Sequence, residues 1–294
     1  MKVCSLDLGN NGATANSTSN VDIKLARLHA ILRELDSVLV AHSGGLDSTL
    51  LLKVAHDVLG ARVLAATATS EIYPQRETNA AAAVAAHIGV RHVLVPTQEI
   101  ANERFAANTP LRCYECKQQL YGRLVALAQA HGLAHVVDGF NVDDGDDFRP
   151  GTRAARELGI RSPLFDAGFV KQEIRELSRR LELPTWDKPS QPCLSTRFPY
   201  GEKITASGLA RIEFAEELLA RMGLKQFRLR DHGDTARLEV EPHDFALCIS
   251  ADLRRQLVHE LKALGFTYVT LDLEGYRTGS MNAALRSSRP AVGS

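Results

Sequence analysis

Hydrophobic positions along the chain change rhythm repeatedly from about residue 21 onward. Asp22–Leu35 has helical spacing, and Ser37-Val38-Leu39-Val40-Ala41 is a short continuous apolar run, the pattern of a strand covered on both faces. After a turn, Leu50, Leu51, Val54, Ala55, Val58 and Leu59 recur at helical spacing until Gly60 closes the helix. Val63–Ala68 predicts a strand, Gln75–Ile88 an Ala-rich helix ended by Gly89, and His92–Val95 a strand. Cys116–Ala130 predicts a helix before Gly132, His135–Asp138 a strand, and residues 151–158 and 170–182 two more helices. Strands alternating with helices predict an α/β fold whose parallel sheet carries helices on both faces.

The rhythm breaks at Pro184-Thr185-Trp186-Asp187-Lys188-Pro189, and with Pro192 and Pro199 this stretch reads as a stiff, non-helical linker. Beyond it the pattern gives a helix at about 206–222, strands at 226–231 and 236–241, a helix at about 250–264 and a strand at 268–273. The expected organisation is a flexible leader (1–20), a nucleotide-type α/β domain (21–188), a linker with a smaller C-terminal α+β domain (189–282) and a flexible tail (283–294).

Composition narrows the class. The 294 residues are 45% hydrophobic and 24% charged, with 35 Lys+Arg against 35 Asp+Glu. That balance is globular, and at about 150 residues per domain it accommodates two domains. Zero net charge argues against a nucleic-acid partner, which needs a basic surface. No apolar run approaches the roughly 20 residues of a membrane span, and the N-terminus lacks an apolar signal core, so the expectation is a soluble, cytoplasmic protein. The five cysteines, Cys4, Cys113, Cys116, Cys193 and Cys248, read as free thiols, metal ligands or catalytic sulfur.

The most informative segment is His42-Ser43-Gly44-Gly45-Leu46-Asp47-Ser48, set between an apolar strand and an amphipathic helix. Two glycines allow backbone N–H groups close to an anion, and the helix N-terminus adds its dipole. Ser43 and Ser48 can add hydroxyl donors. Asp47 would repel phosphate unless a cation intervened, which points to a Mg²⁺ ligand. A Walker A lysine is missing. The S-G-G-x-D-S word resembles the PP-loop ATP pyrophosphatase superfamily. That resemblance implies a doubly wound parallel sheet, ATP held at Ser43, Gly44, Gly45, Asp47 and Ser48, and attack of a substrate on the α-phosphorus to form an adenylate.

Further segments narrow the resemblance: Arg112-Cys113-Tyr114-Glu115-Cys116-Lys117; Asp138-Gly139-Phe140-Asn141 with Asp143-Asp144 and Arg149-Pro150-Gly151; Lys188-Pro189-Ser190 with Pro192 to Gly201; and Leu271 to Asn282. With the loop they resemble the LarE family of ATP-dependent sulfur transferases, from about residue 24 to residue 282. The resemblance implies a small-molecule nucleotide substrate, pyridinium-3,5-biscarboxylic acid mononucleotide, whose carboxylates become thiocarboxylates in building the nickel-pincer nucleotide of lactate racemase. It also implies a homo-oligomer, a hexamer among the options. In the sacrificial branch of that family the cysteine matching Cys193 donates its own sulfur.

Here Cys113 and Cys116 depart from the purely sacrificial pattern. With Cys193 they make three thiolates, enough for a 4Fe–4S iron–sulfur cluster with one iron left open for sulfide. Zinc stays an alternative if His131 or His135 supplies a fourth ligand, as do plain thiols or a transient disulfide. Arg197, beside Cys193, is a cation that favours thiolate and a further candidate for substrate phosphate. Arg228 and Arg230, two apart on a strand, share one face; they suit a nucleotide 5′-phosphate, or are a solvated edge. Glu216 either faces the same pocket or lies on a solvated helix face. Asp138 and Asp144 follow a strand end, the usual mouth of such folds, where one would hold Mg²⁺ or position substrate. Glu71 has no clear role, Trp186 reads as packing, and Cys4 and Cys248 as bystanders. Rival readings are a PP-loop tRNA thiolase and a non-catalytic nucleotide sensor.

Overall fold

The structure, a computed structural model, describes residues 19–145, 150–277 and 280. Residues 1–18 of the expected leader, Cys4 among them, with Arg149, Thr278, Gly279, Met281, Asn282 and the expected tail, lie outside the described residues, while Ser19 and Asn20, expected in the leader, cap and open α1. The first half runs α1 (Asn20–Leu35), β1 (Val38–Ala41), α2 (Leu46–Leu59), β2 (Val63–Thr69), α3 (Gln75–Ile88), β3 (Arg91–Pro96), α4 (Glu103–Ala106), α5 (Arg112–Ala130) and β4 (His135–Val137). It continues with α6 (Pro150–Glu157), α7 (Pro163–Asp166) and α8 (Lys171–Arg180). The second half holds α9 (Ala206–Arg221), β5 (Phe227–His232), β6 (Thr235–Val240), α10 (Phe245–Ile249), α11 (Ala251–Ala263) and β7 (Tyr268–Leu271).

The first sheet has the order β3-β2-β1-β4, with every pairing parallel. Alternation along β1 explains its two covered faces. Val38 and Val40 pack with Leu28, Leu32, Leu51, Ile174 and Leu177 of α1, α2 and α8, whereas Leu39 packs with Leu120, Leu124 and Ala128 of α5. Burying one such leucine contributes about 1.5–3 kcal/mol. Strand order reverses at β1, so the chain leaves β1 and β4 toward opposite faces and opens a crevice at their carboxyl ends. The doubly wound parallel fold is as expected.

The second sheet has the order β5-β6-β7, with β5/β6 antiparallel and β6/β7 parallel. Its core of Leu209, Ile212, Leu219, Leu229, Leu238, Val240 and Leu261 also takes in Ile72, Phe105 and Cys116 from the first half.

Several expectations need correcting. The helix expected from Cys116 begins at Arg112, so both cysteines lie inside α5. The four-residue helices α4 and α7 are too short for a periodic signal. Ser250, with extended ψ of 145°, separates α10 from α11. The Pro-rich linker contains a 3₁₀ turn, Leu194–Arg197, in which Leu194, Ser195 and Arg197 are buried. It is a packed segment, not a spacer. Trp186, expected to pack, is 41% exposed.

Candidate active site

The loop at the end of β1 is held by close backbone approaches. Gly44 has φ of +68°, and a Cβ there would stand 2.8 Å from the Cα of Ala81 on α3. Gly45 caps the N-terminus of α2. A Cβ on Gly139 would lie 2.9 Å from the backbone N of Ser48, so the segment after β4 lies directly against the start of α2. The hydroxyls of Ser43 and Ser48 are 3.1 Å apart, and the amide of Ser43 donates to Ser48 Oγ at 3.2 Å. They brace the loop.

Two lysines reach this loop from outside it, and no local sequence pattern marks either. Lys188 Nζ donates to the carbonyl of Gly44 at 2.9 Å and pairs with Glu77 of α3 at 2.8 Å. Lys171, at the start of α8, forms an ion pair with Asp47. Asn141 Nδ2 donates to the other Asp47 oxygen at 3.4 Å. One carboxylate at the mouth fits Mg²⁺, which is ordinarily held by one or two carboxylates together with substrate phosphates. Under the loop His42 is 2% exposed, its Nε2 3.2 Å from the Ala81 carbonyl and its Nδ1 without a hydrogen-bond partner among the described residues. Burial lowers its pKa to about 4.

Asp138 accepts from Tyr121 and from Ser162, each at 2.7 Å, so its carboxylate fastens β4 to α5 and to the segment before α7. Asp144 accepts from the backbone and side-chain nitrogens of Asn141, completing a capping box around Val142–Asp144. Both stand at the mouth, and these bonds give each a structural duty there.

The sulfur residues converge from two segments. Cys113 and Cys116 lie three apart on the first turns of α5 and therefore on one helix face. Cys193 immediately precedes the 3₁₀ turn, and the amide of Leu194 donates to the Ile72 carbonyl at 2.9 Å. Burial pushes the Cys116 thiol up to about 12; Lys117 opposes this, while charge on Cys193 and Glu99 adds to it. Cys113 reaches the surface, yet desolvation by surrounding chain raises its thiol, as would negative charge on Cys193. Each α5 sulfur thus feels Cys193. Behind Cys116 stand Tyr73, its hydroxyl 3.8 Å from the sulfur, and the fully buried Glu99, 4.0 Å away.

Three thiols from two segments match an iron–sulfur donor set in kind. Among the described residues, however, no three His, Cys, Asp or Glu side chains stand ready-made as metal ligands. The zinc alternative loses its histidines. His131 follows the far end of α5, about 22 Å along the axis from Cys116, and His135 begins β4, at the end of the sheet opposite the mouth. Cys248 is buried in α10, a bystander by position.

The arginines divide sharply. Arg197, 1% exposed, pairs two-pronged with Glu216 at 2.7 and 2.8 Å, and its Nη1 donates to the Pro192 carbonyl at 3.1 Å and the Cys193 carbonyl at 3.4 Å. This corrects two expectations: Glu216 is buried rather than solvated, and Arg197 meets the backbone of Cys193 with its charge already balanced. Arg230 is likewise committed, two-pronged to Glu239 at 3.0 and 2.8 Å and to the Thr196 carbonyl at 2.6 Å. Arg228 differs. It is 2% exposed, donates to the carbonyls of Phe227 and Ser190, and lies 5.0 Å from the Tyr276 ring centre, with no carboxylate partner among the described residues. Burial, with Arg197 close by, lowers its pKa to about 10. β5 is an edge strand, but these arginines are not solvated. Arg112 is another buried guanidinium, donating to Asn108 and, at 2.9 Å, to the Ser195 carbonyl, so it ties α5 to the Cys193 turn. Sequence offers little warning of Arg112, Glu99 or Lys171, because each acts through partners distant along the chain.

The asparagine synthase family, which shares this loop chemistry, matches residues 31–115. A pyridinium-3,5-bisthiocarboxylic acid mononucleotide synthase of Lactiplantibacillus plantarum is 39% identical over 273 residues, covering 92% of this chain and 97% of that protein. This chain belongs to the LarE family. Uncharacterised proteins of Synechocystis (47% identical, 90% of this chain, 99% of that protein) and Methanocaldococcus jannaschii (30% identical, 87% and 98%) are similar over comparable spans. As a LarE-family member the chain is an ATP-dependent, adenylating sulfurtransferase with a PP-loop domain. No helix among the described residues is long and apolar enough to cross a membrane.

Proposed function

We propose that this LarE-family enzyme adenylates the carboxylates of pyridinium-3,5-biscarboxylic acid mononucleotide and converts them to thiocarboxylates, on the way to a nickel-pincer nucleotide. The observation that carries this reading is a nucleotide loop joined by a short stretch of chain to Cys193, which packs against the core that contains Cys116. Lys188 touches the loop and lies five residues before Cys193, a reach of at most about 17 Å.

A carboxylate is a poor electrophile because its leaving group would be oxide. In the first step a carboxylate oxygen bonds to the α-phosphorus of ATP, the bond from that phosphorus to the bridging oxygen breaks, and its electron pair leaves on pyrophosphate. Loop amides and the α2 N-terminus receive that anion. In the second step a sulfur nucleophile attacks the acyl carbon of the adenylate, and the C–O bond breaks with its electrons leaving on AMP. Arg228, a buried cation without a carboxylate partner among the described residues, is the residue best suited to the substrate 5′-phosphate. Arg230, Arg197 and Glu216 hold the walls of that pocket.

Cys113, Cys116 and Cys193 are the residues that would hold a 4Fe–4S cluster. When bound, such a group supplies a carrier for inorganic sulfide at the iron the protein leaves without a ligand. The chain's own part is to keep the Cys193 turn against α5, through Arg112 on Ser195 and Arg197 on the Cys193 carbonyl. In this reading residues 21–188 form the nucleotide domain and 189–282 the substrate and assembly domain of a cytoplasmic homo-oligomer that takes no nucleic acid.

Intact-mass spectrometry after anaerobic turnover, with iron and sulfide supplied, tests the sulfur source. The cluster reading expects repeated turnover at unchanged protein mass, with iron binding and repeated turnover lost together in Cys113→Ala. A single turnover with loss of about 34 Da, the mass of H₂S leaving Cys193 as dehydroalanine, would overturn it in favour of the sacrificial route.

A further inference from the structure

We propose that Glu99 and Cys116 seat a single divalent transition-metal ion, ferrous iron or zinc, with Cys193 as third donor and the fourth position open. This goes beyond the reading above and does not rest on it. Glu99 opens a 3₁₀ turn, Glu99–Ala101, between β3 and α4. Its side chain is fully buried, with Oε1 4.0 Å from Cys116 Sγ and Oε2 without a hydrogen-bond partner among the described residues. The setting is apolar: Cys116 shares its core with Ile72 and Phe105, and Ile100 packs against it. A carboxylate buried in this way is costly unless a cation meets it.

The spacing of the two donors fits an ion. A tetrahedral metal about 2.3 Å from sulfur and about 2.1 Å from oxygen holds those atoms about 3.6 Å apart. Cys116 and Glu99 stand at 4.0 Å, so a small side-chain shift closes the pair on a metal. Thiolate with carboxylate suits zinc or ferrous iron, whereas magnesium and calcium take oxygen donors. The fourth zinc ligand sought among histidines is thus answered by a buried carboxylate.

No three donors stand ready-made among the described residues, and Cys193 completes the set. It packs on the core that holds Cys116, and its charge is felt at Cys116 and at Tyr73. Rotation about its Cα–Cβ bond moves the sulfur between staggered positions. The backbone meanwhile stays tied, by the Leu194 amide on Ile72 and by Arg197 on the Cys193 carbonyl. Three protein donors leave one position for an exogenous ligand, the arrangement of a reactive rather than a structural ion. A single ion and a cluster both need Cys116 and Cys193, so occupancy by one excludes the other.

Anaerobic titration of the metal-free protein with Co²⁺ tests this without ATP, acceptor or sulfide, so its outcome is separate from that of the cluster reading. Wild type should bind a single ion with thiolate-to-cobalt charge-transfer absorption and intense visible d–d bands. Zn²⁺ should displace it and Mg²⁺ should not. Glu99→Gln, which keeps the shape and removes the charge, should weaken Co²⁺ by about ten-fold or more, a loss that even partners outside a ligand set produce. Glu99→Asp should recover part of that affinity. Cys113→Ala, which removes the cluster in the reading above, should keep the ion. Metal-free Glu99→Gln should melt no lower than wild type, because its carboxylate has no hydrogen-bond partner on Oε2 to lose. A lower melting temperature with unchanged Co²⁺ affinity would mark a structural group and overturn the proposal, as would the absence of a thiolate-to-cobalt band in wild type.

Discussion

Seven consecutive residues, His42 to Ser48, carry the glycines, hydroxyls and carboxylate of the nucleotide loop, whereas the sulfur pocket draws on Tyr73, Glu99, Arg112, Cys113, Cys116, Cys193, Arg197 and Arg228. The loop keeps its one charged pair partly open to water, Lys171 and Asp47. The pocket seals its pairs away: Arg197 with Glu216 at 1% and 3% exposure, Arg230 with Glu239 at 8% and 1%. An open pair can exchange partners during a reaction cycle. A sealed pair gains no such freedom, and removing one member leaves an uncompensated buried charge. The loop is built to receive an anion, and the pocket to hold a fixed shape around sulfur.

The largest expected effect lies on the loop side. Asp47→Ala should abolish pyrophosphate release while the melting curve stays close to wild type, because the lost carboxylate is partly solvated. Release near the wild-type rate would remove Asp47 from the chemistry and erase the contrast. Next comes Arg197→Ala, which should cost about 3–5 kcal/mol of stability in urea denaturation, since buried Glu216 keeps no other ion-pair partner among the described residues. A loss under 1 kcal/mol would mean the sealed pocket is softer than its geometry implies.

His42 sharpens the comparison, because it is a titratable group buried beneath an otherwise open loop. Its folded pKa, about 4, lies below the ordinary value near 6.5, so between those values the unfolded chain binds the extra proton. Stability contributed by neutral His42 is complete above pH 6.5 and falls as pH drops toward 4, by about 3 kcal/mol. Denaturation of wild type and His42→Asn across that window should converge at low pH; parallel curves would contradict the assignment. The smallest expected effect separates two neighbours on one strand. Arg228→Ala, which strands no carboxylate, should weaken the nucleotide substrate by about 1.5–3 kcal/mol and leave ATP affinity unchanged. Equal losses for both ligands would place Arg228 outside the substrate site.

Legibility in the sequence follows this same division. Strand, glycine turn and helix are contiguous, so apolar rhythm and the S-G-G-x-D-S word together mark the loop, and the periodicity of Gln75–Ile88 ends where α3 ends. Alternation along β5 correctly put Arg228 and Arg230 on one face. It could not reveal that Glu239, on the neighbouring strand, engages only the second, since pairing depends on a register that local pattern does not encode. Glu216 was ambiguous for a related reason: helical spacing shows a face, while the partner that buries the face comes from another segment. Lys171 lies 124 residues from Asp47, and no rule of local spacing connects them.

The second core borrows Ile72, Phe105 and Cys116 from the first half of the chain, which bears on the order in which the protein can mature. A nascent chain that has completed the parallel sheet but not yet emerged beyond residue 190 carries these side chains without the Leu209–Leu238 partners that cover them. The growing polypeptide therefore presents an apolar face, with a sulfur residue in it, until α9 and β5 arrive to close over it. Sites of translational pausing, chaperone engagement and premature thiol oxidation would all act on that interval, before the pocket that protects Cys116 exists.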